Sequence, residues 1–258
     1  MFKPISDNHS ISKVIANIFL PQTIIKPENV FSKLLKENVL AEYHKKGLSA
    51  SKTININEKD LQQVVSNEEI SGFVFEEFNA KGKSVNVFKV QNLNNNQKAQ
   101  ITFETKDYSR WSDFKNRYFD DLEKLSNIFE FYVEAISLNY IDEFIWDAPS
   151  KIPIDEIFNT DSELLNSNFT NSHNGTLVII SQSEQKKGEK FEEEKTEILF
   201  NNDFKRVIVN HTFAIRLEDL QMFTKESMID LFAKAHEKNK DLLNKIFTSD
   251  VKALIKLK

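Results

Sequence analysis

From His9 to Leu20 (HSISKVIANIFL) apolar residues fall on both faces of an extended segment, which predicts a strand. At Pro27 the spacing changes. Val30, Phe31, Leu34 and Leu35 recur at helical intervals, and His44, Lys45 and Lys46 precede Gly47. Proline at the start, cations in the last turn and glycine just beyond predict a helix over that stretch. From Ser51 to Glu104 the pattern shortens to extended runs: SKTININ, GFVFEEF, KSVNVFKV and QKAQITFE. Lys81-Gly82 and the segment Leu93 to Gln97 read as the turns of an antiparallel meander. Asp107 to Phe129 carries the clearest helical stripe, through Tyr108, Trp111, Phe114 or Tyr118, Leu122, Leu125 and Phe129. Phe131 to Trp146 follows as an extended stretch with apolar residues on both faces, which predicts a strand in the middle of a sheet.

Residues 147–174 are polar and interrupted by Pro149 and Pro153, with short helical turns expected at Ile154 to Phe158 and Ser162 to Leu165. Strands return at Gly175 to Ser183, Glu194 to Phe200 and Arg206 to Leu217. The turn Lys186 to Lys190 and the acidic run Glu192 to Glu194 read as a solvated hairpin tip. Met228 to Phe247 forms a last long helix with Thr224 as its cap. The fold class is therefore α+β: mostly antiparallel sheet with long amphipathic helices, in a single domain. Both parts of the chain run strands and then a helix. That order divides the domain into halves at 1–147 and 175–258, joined by 148–174, and raises an internal duplication as an expectation.

Composition narrows the chemistry. The 258 residues hold 22 Phe but 5 Gly and no Cys, so thiolate catalysis, disulfides and Cys-type zinc sites are excluded. So few glycines leave little material for a backbone phosphate cradle, and no G-x-G-x-x-G, P-loop or G-x-S-x-G occurs. A net charge of −5 counts against a nucleic-acid binder. No leader-like apolar run follows the N-terminus and no window is apolar enough for a membrane span, so a cytoplasmic protein without membrane attachment is expected.

Candidate chemistry is sparse. Ala235-His236-Glu237 starts like the zinc-protease H-E-x-x-H helix, but Lys240 stands where the second histidine belongs. With the apolar stripe of that helix at zero, His236 falls near roughly 80° and Glu237 near roughly 180°, so His236 is a boundary residue and Glu237 faces water. Asn239 falls near roughly 20°, in the middle of the stripe, where an unpaired amide would cost about 1–3 kcal/mol. Asn239 is expected either to bond a strand carbonyl or to mark a part of the helix that faces a groove or partner, and His236 to bond backbone or a carboxylate. Arg110, Lys115 and Arg117 alternate with Tyr108, Trp111 and Phe114, as on a single-strand stacking surface, but the aromatics have core spacing. Glu193-Glu194-Lys195 with Asp203 has the letters of a nuclease core inside an expected hairpin tip. Asp142 and Glu143 are adjacent on a strand and so point to opposite faces. No metal, cofactor or catalytic set emerges.

Three segments together resemble a family: His9-Ser10-Ile11 leading to Pro21, Tyr108 to Phe114 followed by Ile136 to Phe144, and Ala235-His236-Glu237. The chain resembles a sporadically distributed family of bacterial conserved hypothetical proteins of about this length. That family has a Tyr-x-x-Trp-x-x-Phe helix, an Arg-Tyr-Ile-Asn strand and a C-terminal Ala-His-Glu helix. This chain departs from it at Asn139 and Asp142, where the family pattern has arginine and asparagine. The resemblance implies no activity. Its scattered occurrence implies defence-associated gene clusters. The expected function is a non-enzymatic interaction protein that binds a protein partner encoded in the same operon, with self-association as a further option. The alternatives are a nucleic-acid-processing enzyme or a small-ligand sensor. Tyr108, Arg110, Trp111, Asn139, Asp142, His236 and Asn239 are the candidate contacts to a partner or ligand.

Overall fold

One antiparallel sheet runs through the whole molecule. It is seen in a computed structural model that describes residues 1–6, 9–56, 63–93, 98–184 and 191–257, with backbone alone at 52–56, 63–68 and 184. The strands are β1 (Phe2–Pro4), β2 (Ile11–Leu20), β3 (Lys45–Ile56), β4 (Gln63–Phe78), β5 (Ser84–Leu93), β6 (Lys98–Thr105), β7 (Tyr132–Trp146), β8 (Asn174–Glu184), β9 (Phe191–Asn201) and β10 (Arg206–Met222). Their order is β3-β4-β5-β6-β2-β7-β10-β9-β8, with β1 extending the edge of β7 beyond β2. The pairing of β2 with β7, for example Val14 opposite Tyr140 and Ile18 opposite Ile136, joins the two parts of the chain at the centre. Outward from that seam each side has a central strand and then a meander in reverse chain order, the four strands β6-β5-β4-β3 beyond β2 and the three strands β10-β9-β8 beyond β7.

The helices are α1 (Pro27–Lys36), α2 (Trp111–Ser126), α3 (Ile154–Ile157), α4 (Ser167–Thr170), α5 (Lys225–Ile246) and α6 (Ser249–Leu254). Most are short. Only α2, with 16 residues, and α5, with 22, exceed ten, so the expectation of long helices is corrected to two longer helices among short ones. No helix among the described residues is long and apolar enough to cross a membrane.

All the helices pack on one face of the sheet, because apolar side chains alternate along each strand with a period of two. On β2 that face presents Val14, Ala16, Ile18 and Leu20, and on β10 it presents Val207, Val209, Phe213 and Ile215, all buried. The phenylalanines gather here. Phe119 and Tyr118 of α2 meet Phe232 of α5 edge to face, and Phe158, Phe169, Phe200 and Phe247 form a second cluster under the C-terminal part.

Several boundaries differ from expectation. α1 ends at Lys36 because Asn38 and Leu40 take left-handed backbone (φ 51 and 58) and turn the chain back. The cations expected in its last turn therefore lie in β3, where Lys46 sits over the Phe75 ring, and Gly47 is inside the strand. The second short helix of the connecting segment is at Ser167–Thr170, capped by the Asn166 side chain, and not at Ser162 to Leu165. The acidic run Glu192 to Glu194 is not a hairpin tip but part of β9. Glu192 is buried and paired with Lys234 of α5, and Glu194 bonds His211. Lys186 to Lys190 lies outside the described residues. Thr224 caps α5 as expected, accepting from Ser227 N (3.1 Å) while the Ser227 hydroxyl accepts from Thr224 N (3.2 Å).

Candidate functional site

Polar groups concentrate where the start of β2 crosses the helix-covered face of β7 beneath α5. A bulge at Ser12 shifts the register of β2, so that Ile11 lies opposite Asp142 while Lys13 lies opposite Ile141. Ser10 thereby reaches Asp142 and donates its hydroxyl to Oδ1 at 2.5 Å. Asp142 is fully buried and its Oδ2 has no hydrogen-bond partner. Burial pushes its carboxyl up to about 6; the Ser10 bond and the His211 ring pull the other way.

His236 of α5 stands beside this carboxyl. Its ring stacks on Trp111 of α2 (4.5 Å between centroids, 7° between planes), and its Nδ1 shares a hydrogen bond with the Tyr140 hydroxyl at 2.8 Å. Burial lowers its pKa to about 4, so the ring is neutral at physiological pH. Its partner is thus a tyrosine hydroxyl, not the backbone or carboxylate expected from sequence. Tyr108 packs edge-on to Tyr140, and its carbonyl accepts from Nε2 of His9 at 2.5 Å. In the neutral His9 ring that bond leaves Nδ1 as an acceptor, and this buried atom has no partner. Asn239 is buried as its place in the stripe requires. It meets the His211 ring (Nδ1 to Oδ1 3.2 Å), a side chain of β10 and not a strand carbonyl, while Nε2 of His211 donates to Glu194 at 3.0 Å.

A cavity of about 240 Å³ opens between these groups and the C-terminal turn. His9, Ser10, Asp142, His236 and Asn239 supply its polar wall, Leu243 and Ile255 part of its apolar wall, and Lys240 and Lys256 also line it. A larger cleft of about 650 Å³ lies at the connecting segment, but the Asn202 amide in it is already held by Ile152 N and the His173 carbonyl. Among the described residues, no three His, Asp or Glu side chains are arranged to hold a metal ion.

Of the residues singled out in the sequence, Tyr108, Trp111, Asp142, His236 and Asn239 meet in or around this cluster. Arg110 does not: it is exposed and paired with Asp113 at 2.8 Å. Asn139 lies on the other face. Arg117 is engaged by Asp121 and Glu77, and Phe114 and Tyr118 are buried, so the aromatic and basic residues of α2 form no stacking surface. His9, Ser10, His211, Glu194 and Lys240 were not singled out as contacts. The pairing of β2 with β7 brings the first two there, and no local pattern reveals it.

The opposite sheet face has no covering helix among the described residues. In its middle, Thr102 donates to Asn17 Oδ1 at 2.8 Å, with Gln100 Nε2 at 2.6 Å. The same pair of residues recurs across the seam with donor and acceptor exchanged: Asn139 Nδ2 donates to Thr212 Oγ1 at 2.8 Å and to Asn210 Oδ1 at 2.6 Å. In both cases the threonine precedes a buried phenylalanine, Phe103 or Phe213. Ala135, Ser137, Ile15 and Phe19 complete an uncharged centre, and Ala214 lies at its border, between Ser137 and Glu193 of β9. Ion pairs border this centre: Lys13–Glu104 (3.3 Å), Lys98–Glu134 (2.5 Å), Arg216–Glu134 (2.7 Å) and Arg206–Glu143 (2.7 Å). On the edge strand β8, Val178 and Ile180 are 50% and 60% exposed. Comparison of the chain with family models, with curated proteins and with solved structures finds no match in any of the three.

Proposed function

We propose that this chain is a non-enzymatic interaction module that docks a protein partner on the open face of its sheet. The observation that carries this reading is the anatomy of that face: an uncharged centre of amides, hydroxyls and apolar side chains bordered by ion pairs. Protein interfaces have this composition, with charge depleted in the core and retained at the rim. The balanced ion pairs disfavour nucleic acid, which calls for an excess of cations. The resemblance of the chain to a sporadically distributed bacterial family supports a cytoplasmic accessory or regulatory subunit of a defence or toxin system, with its partner encoded alongside.

The two halves are, in this reading, copies of one unit. The similar strand order and the repeated Asn–Thr pair support that, and they favour a boundary between α2 and β7, earlier than the connecting segment 148–174. A duplicated face offers its partner two similar half-sites.

The test is co-expression with the products of the adjacent genes. A stable complex is expected with the native chain and with Glu237→Lys, which alters the exposed side of α5. Ala214→Arg should abolish it by placing a long charged side chain at the border of the uncharged centre, beside Ser137. Failure to recover any neighbour, or a complex that survives Ala214→Arg, sinks the reading.

A further inference from the structure

The cavity beneath α5 lies on the opposite side of the sheet from the proposed docking face, and its chemistry is independent of it. Two buried atoms of residues that line this cavity have no partner among the described residues: Asp142 Oδ2, an acceptor, and His9 Nδ1, an acceptor in the neutral ring whose Nε2 donates to Tyr108. A buried acceptor without a donor costs about 1–3 kcal/mol, so native structures supply one. The cavity therefore calls for a ligand that brings N–H groups inward. A carboxylate favours a charged N–H donor over a neutral one, and the His236 ring, neutral at physiological pH, adds no positive charge beside it.

The rest of the wall defines the remainder of the ligand. Ile11, Leu243, Ile255 and Leu257 make most of it apolar. Lys240 and Lys256 add two cations, of which Lys240 is held only by a solvated pair with Glu237 at 3.0 Å. A simple amine would meet these lysines as like charges, whereas a molecule with an anionic group would be attracted by them. The volume of about 240 Å³ is below the roughly 300–1,000 Å³ of pockets that take drug-sized molecules, and it excludes a nucleotide.

We propose that this cavity binds a small apolar α-amino acid, with its ammonium group bonded to Asp142 and His9, its side chain against Leu243 and Ile255, and its carboxylate at Lys240 and Lys256. The neutral imidazole of His236, fixed between Trp111 and Tyr140, forms the floor beside the ammonium. The arrangement suits reversible binding, so the site is one for sensing or retention of the free amino acid.

Isothermal titration calorimetry on the full chain tests this with L-leucine, L-isoleucine, L-valine and L-phenylalanine, and with two truncated probes. N-acetyl-L-leucine lacks the ammonium, and isopentylamine lacks the carboxylate. At least one of the four amino acids is expected to bind at one site per chain, and both truncated probes at least tenfold more weakly. Asp142→Asn should abolish binding. Lys240→Glu, at a half-buried position on the rim of the cavity, should weaken the amino acid severalfold and leave isopentylamine unchanged or improved. No binding by any of the four amino acids overturns the proposal, as does equal binding of N-acetyl-L-leucine. If Asp142→Asn does not fold, the N-acetyl comparison and Lys240→Glu decide the matter, and unaltered affinity in Lys240→Glu overturns the placement of the carboxylate. Docking on the opposite face is read by co-expression, so either proposal can fail alone.

Discussion

Asp142 and His236 border the same cavity with their ionisation displaced in opposite senses, and the consequences for stability oppose each other. Asp142 titrates at about 6 in the fold against 3.8 for the free group. Between those values the unfolded chain has lost a proton that the folded chain keeps, so the contribution of Asp142 is fully present below about pH 4 and is lost as pH rises through about 6. His236 titrates at about 4 against 6.5. There the unfolded chain takes up a proton first as pH falls, so the contribution of His236 is present above about pH 6.5 and is lost toward pH 4. The native chain should accordingly show little net slope from this pair. Urea unfolding at pH 4, 5, 6 and 7 should reveal each limb separately. In His236→Gln stability should fall by about 2 kcal/mol from pH 4 to pH 6, most of the free energy of the Asp142 shift. In Asp142→Asn stability should rise with pH over the same range. Parallel profiles for the two variants would refute the assignment.

Gly72 is a second position where one atom decides. A β-carbon there would stand 2.0 Å from the Val90 carbonyl oxygen, a backbone atom of the neighbouring strand that cannot move without breaking the β4–β5 pairing. Gly72→Ala should cost at least about 1–3 kcal/mol, the usual range for overpacking, read as a lower urea midpoint. The residue is a glycine among a short extended run in sequence, but the close approach that requires it exists only once β5 is paired.

At the scale of elements, stop and start signals proved more local than the helices they bound. Thr224 is legible as a cap because capping is settled within three residues, and the reciprocal bonds with Ser227 confirm it. Thr224→Ala should destabilise the protein by about 1 kcal/mol in urea unfolding, with Thr224→Ser near neutral. The end of α1 was not legible. It depends on left-handed turns at Asn38 and Leu40, and on the burial of Leu40 and Tyr43 against the sheet, with the Tyr43 hydroxyl donated to the buried Asp121 at 2.6 Å. The acidic run in β9 was misread for a similar reason. Three consecutive glutamates look solvated until α5 brings Lys234 over one of them and β10 brings His211 to another.

At the scale of the molecule, the sheet separates a packed face from an open one, and neighbouring residues on one strand should respond very differently. Phe213 is buried on the helix-covered face and Ala214 points to the open face. Phe213→Ala should cost about 3–5 kcal/mol, whereas Ala214→Arg should stay within about 0.5 kcal/mol of the native chain in urea unfolding. A large cost for Ala214→Arg would mean that this face is packed and not available to a partner. The contrast also separates lost docking from lost folding in the co-expression test.

The sequence by itself determined the alternation along each strand, the stripes of α2 and α5, the opposite facing of Asp142 and Glu143, and the burial of Asn239. All of these follow from periods of two or 3.6 within one element, and they need no knowledge of what lies opposite. Only the tertiary structure decided that β2 pairs with β7, that a bulge at Ser12 carries Ser10 to Asp142, and that Trp111 stacks on His236 from a helix more than a hundred residues away. The physical reason is range. Periodicity records which face of an element avoids water, whereas the cavity and its two unpartnered acceptors arise from register between segments that meet only in the finished sheet.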